Sequence, residues 1–569
     1  MILEIVYGSQ TGTAEDIAMK VQRTASRWNI GNVCVDFNNW EPIESHSVAV
    51  FVCATTGQGD PPDNMLQFWK FIMQKSIPRN FFDCLNFCVF GLGSSAYLKY
   101  NHVAKKLFRR IEMLGGKSFM KLYLADIMHE LGIDFTVKNF FSDLFKNLPN
   151  YFLHMKNTVP LPITRALPSR YVVNAVPNCQ NDSRFNAVPS LVTSFNCKIL
   201  GNKRISAFNH FQDVRLIRIE NVNSALSFNP GDVLNILPKN SLDTIDRFFN
   251  LFTQFDKNLC ISIQCSLSNT NFPSVCSLNY LVENVFDLCC IPRQGIFELL
   301  GSYSTNSLEK ERLLELAEDS EDYFDYCTRP RRNLLEVFSD FPNTSLQMSL
   351  DYLIDIIPRI QPRSFSIASD YKFFNGEYLE LLIAVVKYRT RLKAPRLGLC
   401  SNYLADLKIG DFISAHTRTG SFSLPESNET PILMVGPGTG VAPFRAIIQH
   451  RNGNNCFLFF GCRFENSDYY FSDEWVNFQN LVVFTAFSRD TPNKVYVQHK
   501  IKEHSRIVWD LIFNKSAYVF IAGNAQNMPQ AVMDSIKNAI MLHSGIGQAE
   551  VDEFITNLQN QNVVQMETW

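Results

Sequence analysis

Apolar runs of strand length alternate with amphipathic segments of helical length through the first 150 residues. The apolar runs lie near 2–7, 48–54, 86–91 and 119–124, and the helical patterns lie near 13–28, 64–75 and 101–114. This alternation is typical of a doubly wound domain in which helices cover both faces of a parallel sheet. We therefore predict a parallel α/β domain over residues 1–150.

The pattern changes after residue 150. Residues 151–190 carry several prolines and no sustained period, which indicates an exposed linker. Strand-like patterns over 191–424 enclose a largely helical stretch near 240–360, so a β domain with a helical insert is predicted. A second parallel α/β domain is predicted over 425–569, from apolar runs at 431–435, 456–460, 481–486 and 517–522.

Composition argues against several classes of function. The formal net charge is −2 at pH 7, so no global attraction to nucleic acid or to an anionic membrane is expected. No run approaches the roughly 18–20 apolar residues of a membrane span, and the first residues lack a signal-peptide pattern. The 15 cysteines include no CxxC pair and the 10 histidines no HxxxH spacing. We therefore expect no metal site and a reducing, cytoplasmic location.

Three loops of the first domain follow predicted strands. The loop 9–14 precedes a helix, and the backbone N–H groups at a helix start favour an anion such as phosphate. It lacks the lysine of GxxxxGK[ST], which argues against ATP or GTP. The other loops are 54–64 and 91–101, and Tyr97 offers an aromatic face for a flat ring. Ligands of an open parallel sheet lie beyond the carboxyl ends of the strands, so the loops are expected to form one site.

These loops resemble the FMN-binding module of the flavodoxin family. The resemblance implies that phosphate lies on the first loop and that the flavin ring lies between the other two, with Asp126 near the flavin. Thr56 stands where cytochrome P450 reductases have a second stacking tyrosine, so a less symmetric stacking is expected. The implied FMN-site residues are Ser9, Gln10, Thr11, Gly12, Thr13, Ala14, Ala54, Thr55, Thr56, Gly57, Leu92, Gly93, Ser94, Ser95, Tyr97, Asn101 and Asp126.

Two further motifs are RSFSIAS at 363–369 and LGLCSNYL at 397–404. Arg363 can pair with a pyrophosphate, and Ser366 can hydrogen-bond the redox edge of a flavin. Together the motifs resemble the FAD domain of the ferredoxin–NADP reductase superfamily, which implies an antiparallel β-barrel, and Arg332 resembles a position that reaches FAD. The implied FAD-site residues are Arg332, Arg363, Ser364, Phe365, Ser366, Gly398, Leu399, Cys400 and Ser401.

GPGTGVAP at 436–443 follows a predicted strand and precedes a helix, so its glycines let the phosphates of a dinucleotide approach the backbone. It resembles the NADP lobe of the same superfamily, in which Gly438, Thr439 and Gly440 line the pyrophosphate and nicotinamide end. A cationic pair with hydroxyl and amide donors suits a 2′-phosphate, so NADPH is favoured over NADH. The residues concerned are Ser488, Arg489, Lys494, Tyr496 and Gln498.

The chain ends in VVQMETW. The resemblance implies that Trp569 shields the FAD ring until nicotinamide displaces it and that Glu567 supplies a carboxylate near the ring. With Ser366, these are the predicted catalytic residues. Ala522 and Asn524 stand where P450 reductases carry a cysteine and an aspartate. NADPH oxidation is still expected, though more slowly, because the positioning of the rings supplies most of the effect.

The order FMN module, linker, FAD barrel with insert and NADP lobe resembles the diflavin reductases over essentially the whole chain. This implies that electrons pass from NADPH to FAD to FMN and then to a one-electron protein acceptor. The members that serve cytosolic iron–sulfur cluster assembly are the most similar, which implies the iron–sulfur protein anamorsin as the acceptor. A reductase for a P450 or for methionine synthase is one alternative. A degenerate flavoprotein scaffold, supported by Ala522 and Asn524 alone, is another.

Overall fold

A computed structural model describes residues 1–41, 47–57, 59–95, 97, 99–130, 132–177, 195–221, 226–265 and 272–568. The chain divides into two compact units. The first consists of Met1–Leu191, Asn240–Gln361 and Thr390–Leu392, and the second of Val192–Lys239, Pro362–Arg389 and Lys393–Trp569. The helical insert therefore belongs to the same unit as the N-terminal domain.

The N-terminal domain of the first unit is a parallel sheet covered by helices. Its strands are β1 (Leu3–Gly8), β2 (Asn32–Asp36), β3 (Ser47–Ala54), β4 (Leu85–Gly93), β5 (Lys117–Ser118) and β6 (Tyr123–Asp126). Its helices are α1 (Thr13–Arg27), α2 (Leu66–Ile72), α3 (His102–Met113) and α4 (Asp134–Asn147). The strand order is β2-β1-β3-β4-β5, and β6 pairs with β4. Central strands buried on both faces explain the continuous apolar runs in the sequence.

The strand register brings the predicted loops to one edge of this sheet. Gly8 at the end of β1 pairs with Cys53 of β3. Ala54 pairs with Leu92 of β4, and Gly93 pairs with Asp126 of β6. The loops that follow β1, β3, β4 and β6 therefore all begin at the carboxyl edge, where ligands of parallel sheets bind.

The segment predicted as an exposed linker is partly packed. Phe152 and Met155 are buried against the core of the N-terminal domain. Strand β7 (Tyr171–Ala175) pairs antiparallel with β11 (Cys260–Cys265), which also pairs with β12 (Val275–Ser277). The pairing follows from the run YVVNA, since β-branched residues favour an extended strand. Residues 178–190 of the predicted linker lie outside the described residues.

The insert is otherwise helical, as predicted from the sequence. Its helices are α5 (Leu242–Leu251), α6 (Leu278–Asn284), α7 (Gln294–Tyr303), α8 (Ser307–Glu318), α9 (Ser320–Tyr323), α10 (Leu334–Asp340), α11 (Pro342–Gln347) and α12 (Leu350–Ile356), with a π-helical turn at Phe324–Thr328. Buried phenylalanines, among them Phe248, Phe252, Phe297 and Phe338, form its core.

The second unit begins with an antiparallel sheet. Its strands are β8 (Phe195–Arg204), β9 (Val214–Glu220), β10 (Val233–Leu237), β13 (Arg363–Ser366), β14 (Tyr378–Ala384) and β17 (Phe412–Arg418), in the order β13-β10-β17-β8-β9-β14. A bridge between Ile367 and Leu381 joins the two edge strands, so the sheet closes on itself. The short strands β15 (Lys387–Tyr388) and β16 (Arg396–Leu397) precede helix α13 (Leu399–Asp406). The predicted antiparallel barrel is confirmed.

The C-terminal lobe of the same unit is a parallel sheet in the order β20-β19-β18-β21-β22. Its strands are β18 (Ile432–Val435), β19 (Cys456–Cys462), β20 (Leu481–Phe487), β21 (Tyr518–Gly523) and β22 (Val564–Thr568). Its helices are α14 (Ala442–His450), α15 (Glu465–Asp468), α16 (Ser472–Trp475), α17 (Val497–Glu503), α18 (Ser505–Trp509), α19 (Met528–Ser544) and α20 (Gln548–Asn560). Buried clusters on both faces of the sheet match the α/β pattern read from the sequence.

Among the helices of the described part of the chain, none has the length and apolar character needed to cross a membrane.

Candidate cofactor sites

The loop between β1 and α1 offers unused polar groups. The Ser9 amide donates to Asn64 Oδ1 at 2.8 Å, whereas Ser9 Oγ is buried and has no hydrogen-bond partner within the described structure. Gly12 has a φ of 86°, a left-handed conformation that favours glycine. No described side chain caps the first turn of α1, so its N–H groups can receive an anion. These residues fit a phosphate.

Hydrogen bonds of Gln10 and Thr56 shape the loops that follow β1 and β3. Gln10 Nε2 donates to Asp63 Oδ2 at 2.8 Å, and the Asp63 amide donates to Gln10 Oε1 at 3.0 Å. Both the amide and Oγ1 of Thr56 donate to the Asp60 carbonyl, at 2.9 and 3.0 Å, and so close a tight turn. Thr55 Oγ1 accepts from the Val103 amide at 3.3 Å. The side chains of Gln10, Thr55 and Thr56 therefore hold the loops in place.

Asp126 organises the third loop. Its Oδ1 accepts from the amides of Ser95 at 2.9 Å and Met128 at 3.0 Å. Burial alone would raise the pKa of Asp126, but the hydrogen bonds from Ser95 and Met128 outweigh burial and lower it. The carboxylate is thus engaged in shaping the loop that carries Tyr97, whose ring is half-buried.

Asn101 also shapes this loop through a hydrogen bond, at the end of the loop that precedes α3. It is fully buried with a φ of 51°, and its Nδ2 donates to the Ala125 carbonyl at 3.0 Å. A Cβ on Gly93 would come within 2.9 Å of the Asn101 backbone nitrogen, so this close approach requires glycine. The remaining predicted residues lie at the same edge, with Ala54, Leu92 and Gly93 at strand ends, Thr11, Gly57 and Ser94 in loops, and Thr13 and Ala14 in α1.

A hydroxyl–carboxyl pair occupies the candidate FAD site. Ser366, the last residue of β13, donates from Oγ to Glu567 Oε1 at 2.8 Å. Glu567 Oε2 is buried and lacks a partner among the described residues. Burial raises the pKa of Glu567, and the hydrogen bond from Ser366 opposes part of that rise. An unpaired buried oxygen beside a hydroxyl is a group suited to a cationic or hydrogen-bonding ligand.

Strand β22 is what fixes Glu567 there. It pairs with β21, and the register sets Glu567 beside Ala522. The terminal residues up to Thr568 are therefore part of the sheet, a strand that the sequence pattern did not reveal. The predicted shield, Trp569, lies outside the described residues.

Other predicted FAD-site residues differ in what their side chains do. Ser364 Oγ donates to Asn235 Oδ1 at 2.6 Å. Cys400 is buried in the barrel core, where burial raises the pKa of its thiol to about 12. Ser401 Oγ accepts from the Val386 amide at 3.0 Å. The structure thus gives Cys400 and Ser401 structural contacts and leaves the backbone N–H groups of Leu399 and its neighbours, next to Gly398, for a pyrophosphate.

The two arginines predicted to reach FAD belong to different units. Arg363 begins β13 in the second unit, and its side chain is exposed, with Phe365 packed against the barrel core. Arg332 belongs to the first unit. Its Nη1 lies 2.5 Å from Asp340 Oδ2, and its guanidinium lies 4.3 Å from the Tyr326 ring centroid.

A cleft of about 580 Å³ opens at the carboxyl edge of the C-terminal sheet. Of the residues predicted to bind NADPH, those that line it are Gly438, Thr439, Ser488, Tyr496 and Gln498. Arg489 and Lys494 are exposed and lie on the segment between β20 and α17 that borders the cleft. The volume suits a dinucleotide, and Thr439, Ser488 and Gln498 add polar groups to a lining that is otherwise mostly apolar.

Gly440 makes a close backbone approach that was not predicted from the sequence. A Cβ there would lie 2.2 Å from the carbonyl oxygen of Ala522, so glycine lets the loop after β18 pack against β21. Gly438, with a φ of 59°, lines the cleft itself.

Sequence reasoning missed part of the lining. Phe211 and Gln212, on the loop before β9, reach the cleft, as do Arg463 and Asn527. The Arg463 guanidinium lies 3.8 Å from the Phe211 ring centroid, in a cation–π contact. Arg463 directly follows strand β19, a position at which a cation could have been suspected. Phe211 lies some 250 residues away in the chain and carries no sequence signal.

Three family models match consecutive parts of the chain. The flavodoxin model matches residues 5–136, the FAD binding domain model matches residues 190–403, and the oxidoreductase NAD-binding domain model matches residues 434–534.

Similar proteins align over nearly the full length. The chain is 40% identical to NADPH-dependent diflavin oxidoreductase 1 of Xenopus laevis, over 100% of this chain and 99% of the relative. The proteins of that name from Mus musculus and Schizosaccharomyces pombe are 40% and 33% identical, and each alignment covers at least 99% of both chains. The chain therefore belongs to the NADPH-dependent diflavin oxidoreductase 1 family, within the diflavin reductases suggested by its motifs.

Proposed function

We propose that the chain takes electrons from NADPH, passes them through FAD and FMN, and delivers them singly to an iron–sulfur protein of the anamorsin type in cytosolic iron–sulfur cluster assembly. The oxidoreductase activity with these three cofactors follows from membership of the family. The acceptor and the cytosolic setting extend that activity and rest on the resemblance to family members with this role.

The bound cofactors supply the redox chemistry, in which two electrons enter together and leave one at a time. The chain binds and orients them. Ser9 Oγ and the first turn of α1 would hold the FMN phosphate, and the cleft lined by Thr439 and Ser488 would hold NADPH. Arg489 and Lys494 are proposed to contact the 2′-phosphate, because cations on the rim of the cleft can pair with its charge.

Glu567 and Ser366 are proposed to act at the reacting end of nicotinamide. The ring becomes positively charged as it is oxidised, and a carboxylate placed beside it stabilises that charge. The 2.8 Å hydrogen bond from Ser366 holds the Glu567 carboxyl in one orientation. This hydrogen bond is the observation that carries the proposed role at nicotinamide, because it brings Ser366 of the barrel motif and Glu567 of β22 together.

The acceptor is tested with purified full-length chain, NADPH and an anamorsin-type [2Fe–2S] protein. We expect bleaching of the iron–sulfur absorbance and an EPR signal of the reduced cluster, at a rate above that with a P450 or methionine synthase. Ferricyanide serves as the control acceptor. If ferricyanide is reduced while the iron–sulfur cluster stays oxidised, the iron–sulfur acceptor is refuted and the reductase activity stands. If neither acceptor is reduced, the reductase activity itself is refuted.

A further inference from the structure

Arg293 of the helical insert contacts the start of α1, next to the loop that fits a phosphate. Arg293 Nη1 donates to the Gly12 carbonyl at 3.2 Å, and its Nη2 donates to Thr13 Oγ1 at 2.9 Å. Arg293 Nη1 also lies 3.5 Å from Asp16 Oδ2. One guanidinium therefore bridges the insert and the phosphate loop within the first unit.

The far end of α1 is fastened in a different way. Arg27 is buried, and its Nη1 donates to the carbonyls of Pro162 at 2.8 Å and Arg165 at 2.9 Å. The Arg293 and Asp16 side chains, in contrast, are each 35% exposed. An ion pair with that exposure contributes little to stability by itself, so the Arg293–Asp16 pair is not needed to hold α1 in place.

We propose that Arg293 is a positioning residue for FMN that the insert supplies to the phosphate loop. A hydroxyl has one hydrogen to donate and two lone pairs to accept. Since Thr13 Oγ1 accepts from Arg293, its hydrogen is directed away from the guanidinium and is available to the phosphate. A hydroxyl that accepts from a cation is also a stronger donor, because hydrogen bonds in a chain polarise one another.

The proposal rests on the proposed FMN site and adds a coupling between that site and the insert. If Arg293 strengthens FMN binding when the insert contacts the loop, bound FMN must strengthen the contact of the insert by the same factor. The N-terminal domain would then hold FMN most tightly while it is in contact with the insert.

The test is FMN affinity in the full-length chain, depleted of FMN and titrated with FMN while quenching of the flavin fluorescence is followed. Arg293→Gln is expected to raise the dissociation constant about two- to tenfold, the range of one ordinary hydrogen bond, because the Thr13 hydroxyl would no longer be polarised and directed toward the phosphate. The dissociation constant of Arg293→Lys should lie between those of the unmodified chain and Arg293→Gln, because an ammonium keeps the charge but cannot reproduce the planar fork of the guanidinium. Arg312→Gln is the matched control, because Arg312 pairs with Glu315 and Asp322 of the insert, away from the loop.

A double-mutant cycle separates positioning from a general structural role. If Arg293 acts through the Thr13 hydroxyl, Arg293→Gln should weaken FMN binding little further once Thr13→Ala is present. Additive effects, or an Arg293→Gln affinity equal to that of the unmodified chain, would overturn the proposal. Bound FAD and thermal melting report folding, and Arg293→Lys keeps the test valid if Arg293→Gln unfolds. An unmodified chain that binds no FMN would instead refute the FMN site itself.

Discussion

At the scale of single residues, the carboxyl of Glu567 is the group whose protonation matters most. It is buried, it accepts from Ser366 through Oε1, and its Oε2 has no partner in the described structure. Burial disfavours the charged form, so the pKa of Glu567 lies above the ordinary glutamate value of 4.5. The proposed role at nicotinamide requires the charged form.

The raised pKa of Glu567 sets the direction in which NADPH oxidation depends on pH. As pH falls through the raised pKa, Glu567 gains a proton, so NADPH oxidation with ferricyanide should slow on an acid limb centred above pH 4.5. Glu567→Gln should lower kcat about tenfold at neutral pH, by loss of a charged partner, and should remove that limb. An acid limb that persists unchanged in the variant would show that another group titrates. Glu503→Gln, an exposed change on α17, serves as the control.

The sequence motifs indicated which positions lie near the candidate sites, but they did not show which side chains point toward a ligand. The motifs singled out Ser9 and Ser366, and both carry groups suited to a ligand. The predicted site residues also included Cys400 and Asp126, whose side chains are buried in the barrel core and hydrogen-bonded within a loop, respectively. A sequence motif gives the position of a residue but does not show which way its side chain points, because packing decides that.

At the scale of elements, the loop after β18 depends on its close approach to β21. The Cβ of an alanine at position 440 would lie 2.2 Å from the Ala522 carbonyl oxygen, so the two segments would have to separate. Because Gly438 and Thr439 line the cleft from this loop, the separation would disturb NADPH binding.

Gly440→Ala is therefore expected to raise the KM for NADPH and to cost about 1–3 kcal/mol of stability, as overpacking does. Gly201→Ala is the matched control, since its Cβ would make an ordinary contact of 3.5 Å with Arg218. Steady-state kinetics and thermal melting check both. Equal KM values in the two variants would contradict the role given to Gly440.

The elements predicted from the sequence are the long periodic ones. The strands at β1, β3, β4 and β18 to β21 lie near their predicted positions. The strands β7 and β22 were missed because each is a short run beside prolines or at a terminus, and each gains its stability by pairing with a strand distant in sequence. Such tertiary pairing leaves little local signal.

At the scale of the whole molecule, a buried charge network joins the barrel and the C-terminal lobe inside the second unit. Arg445 of α14 donates to Glu380 of β14 at 2.7 Å and to both carboxylate oxygens of Glu474, at 2.7 and 2.8 Å. Glu380 also accepts from Arg218 of β9. Since these residues come from both halves of the unit, the network fixes the candidate FAD and NADPH sites relative to each other.

Arg445→Leu leaves the fully buried Glu380 with only its partly exposed partner, and we expect a loss of about 3–5 kcal/mol of stability. The double variant Arg445→Leu with Glu380→Leu should recover part of that loss, because no buried charge remains. Thermal melting of the flavin-loaded chain measures both. A double variant less stable than Arg445→Leu alone would contradict this account of the network.

The central claim, that one chain carries two different flavins, is tested most directly by releasing the bound flavins from the purified protein and separating them by chromatography. We expect about one FMN and about one FAD per chain, as two separate flavin sites require. FAD without FMN would contradict the site at the β1–α1 loop. The proposed transfer of single electrons to an iron–sulfur acceptor would then have to be abandoned.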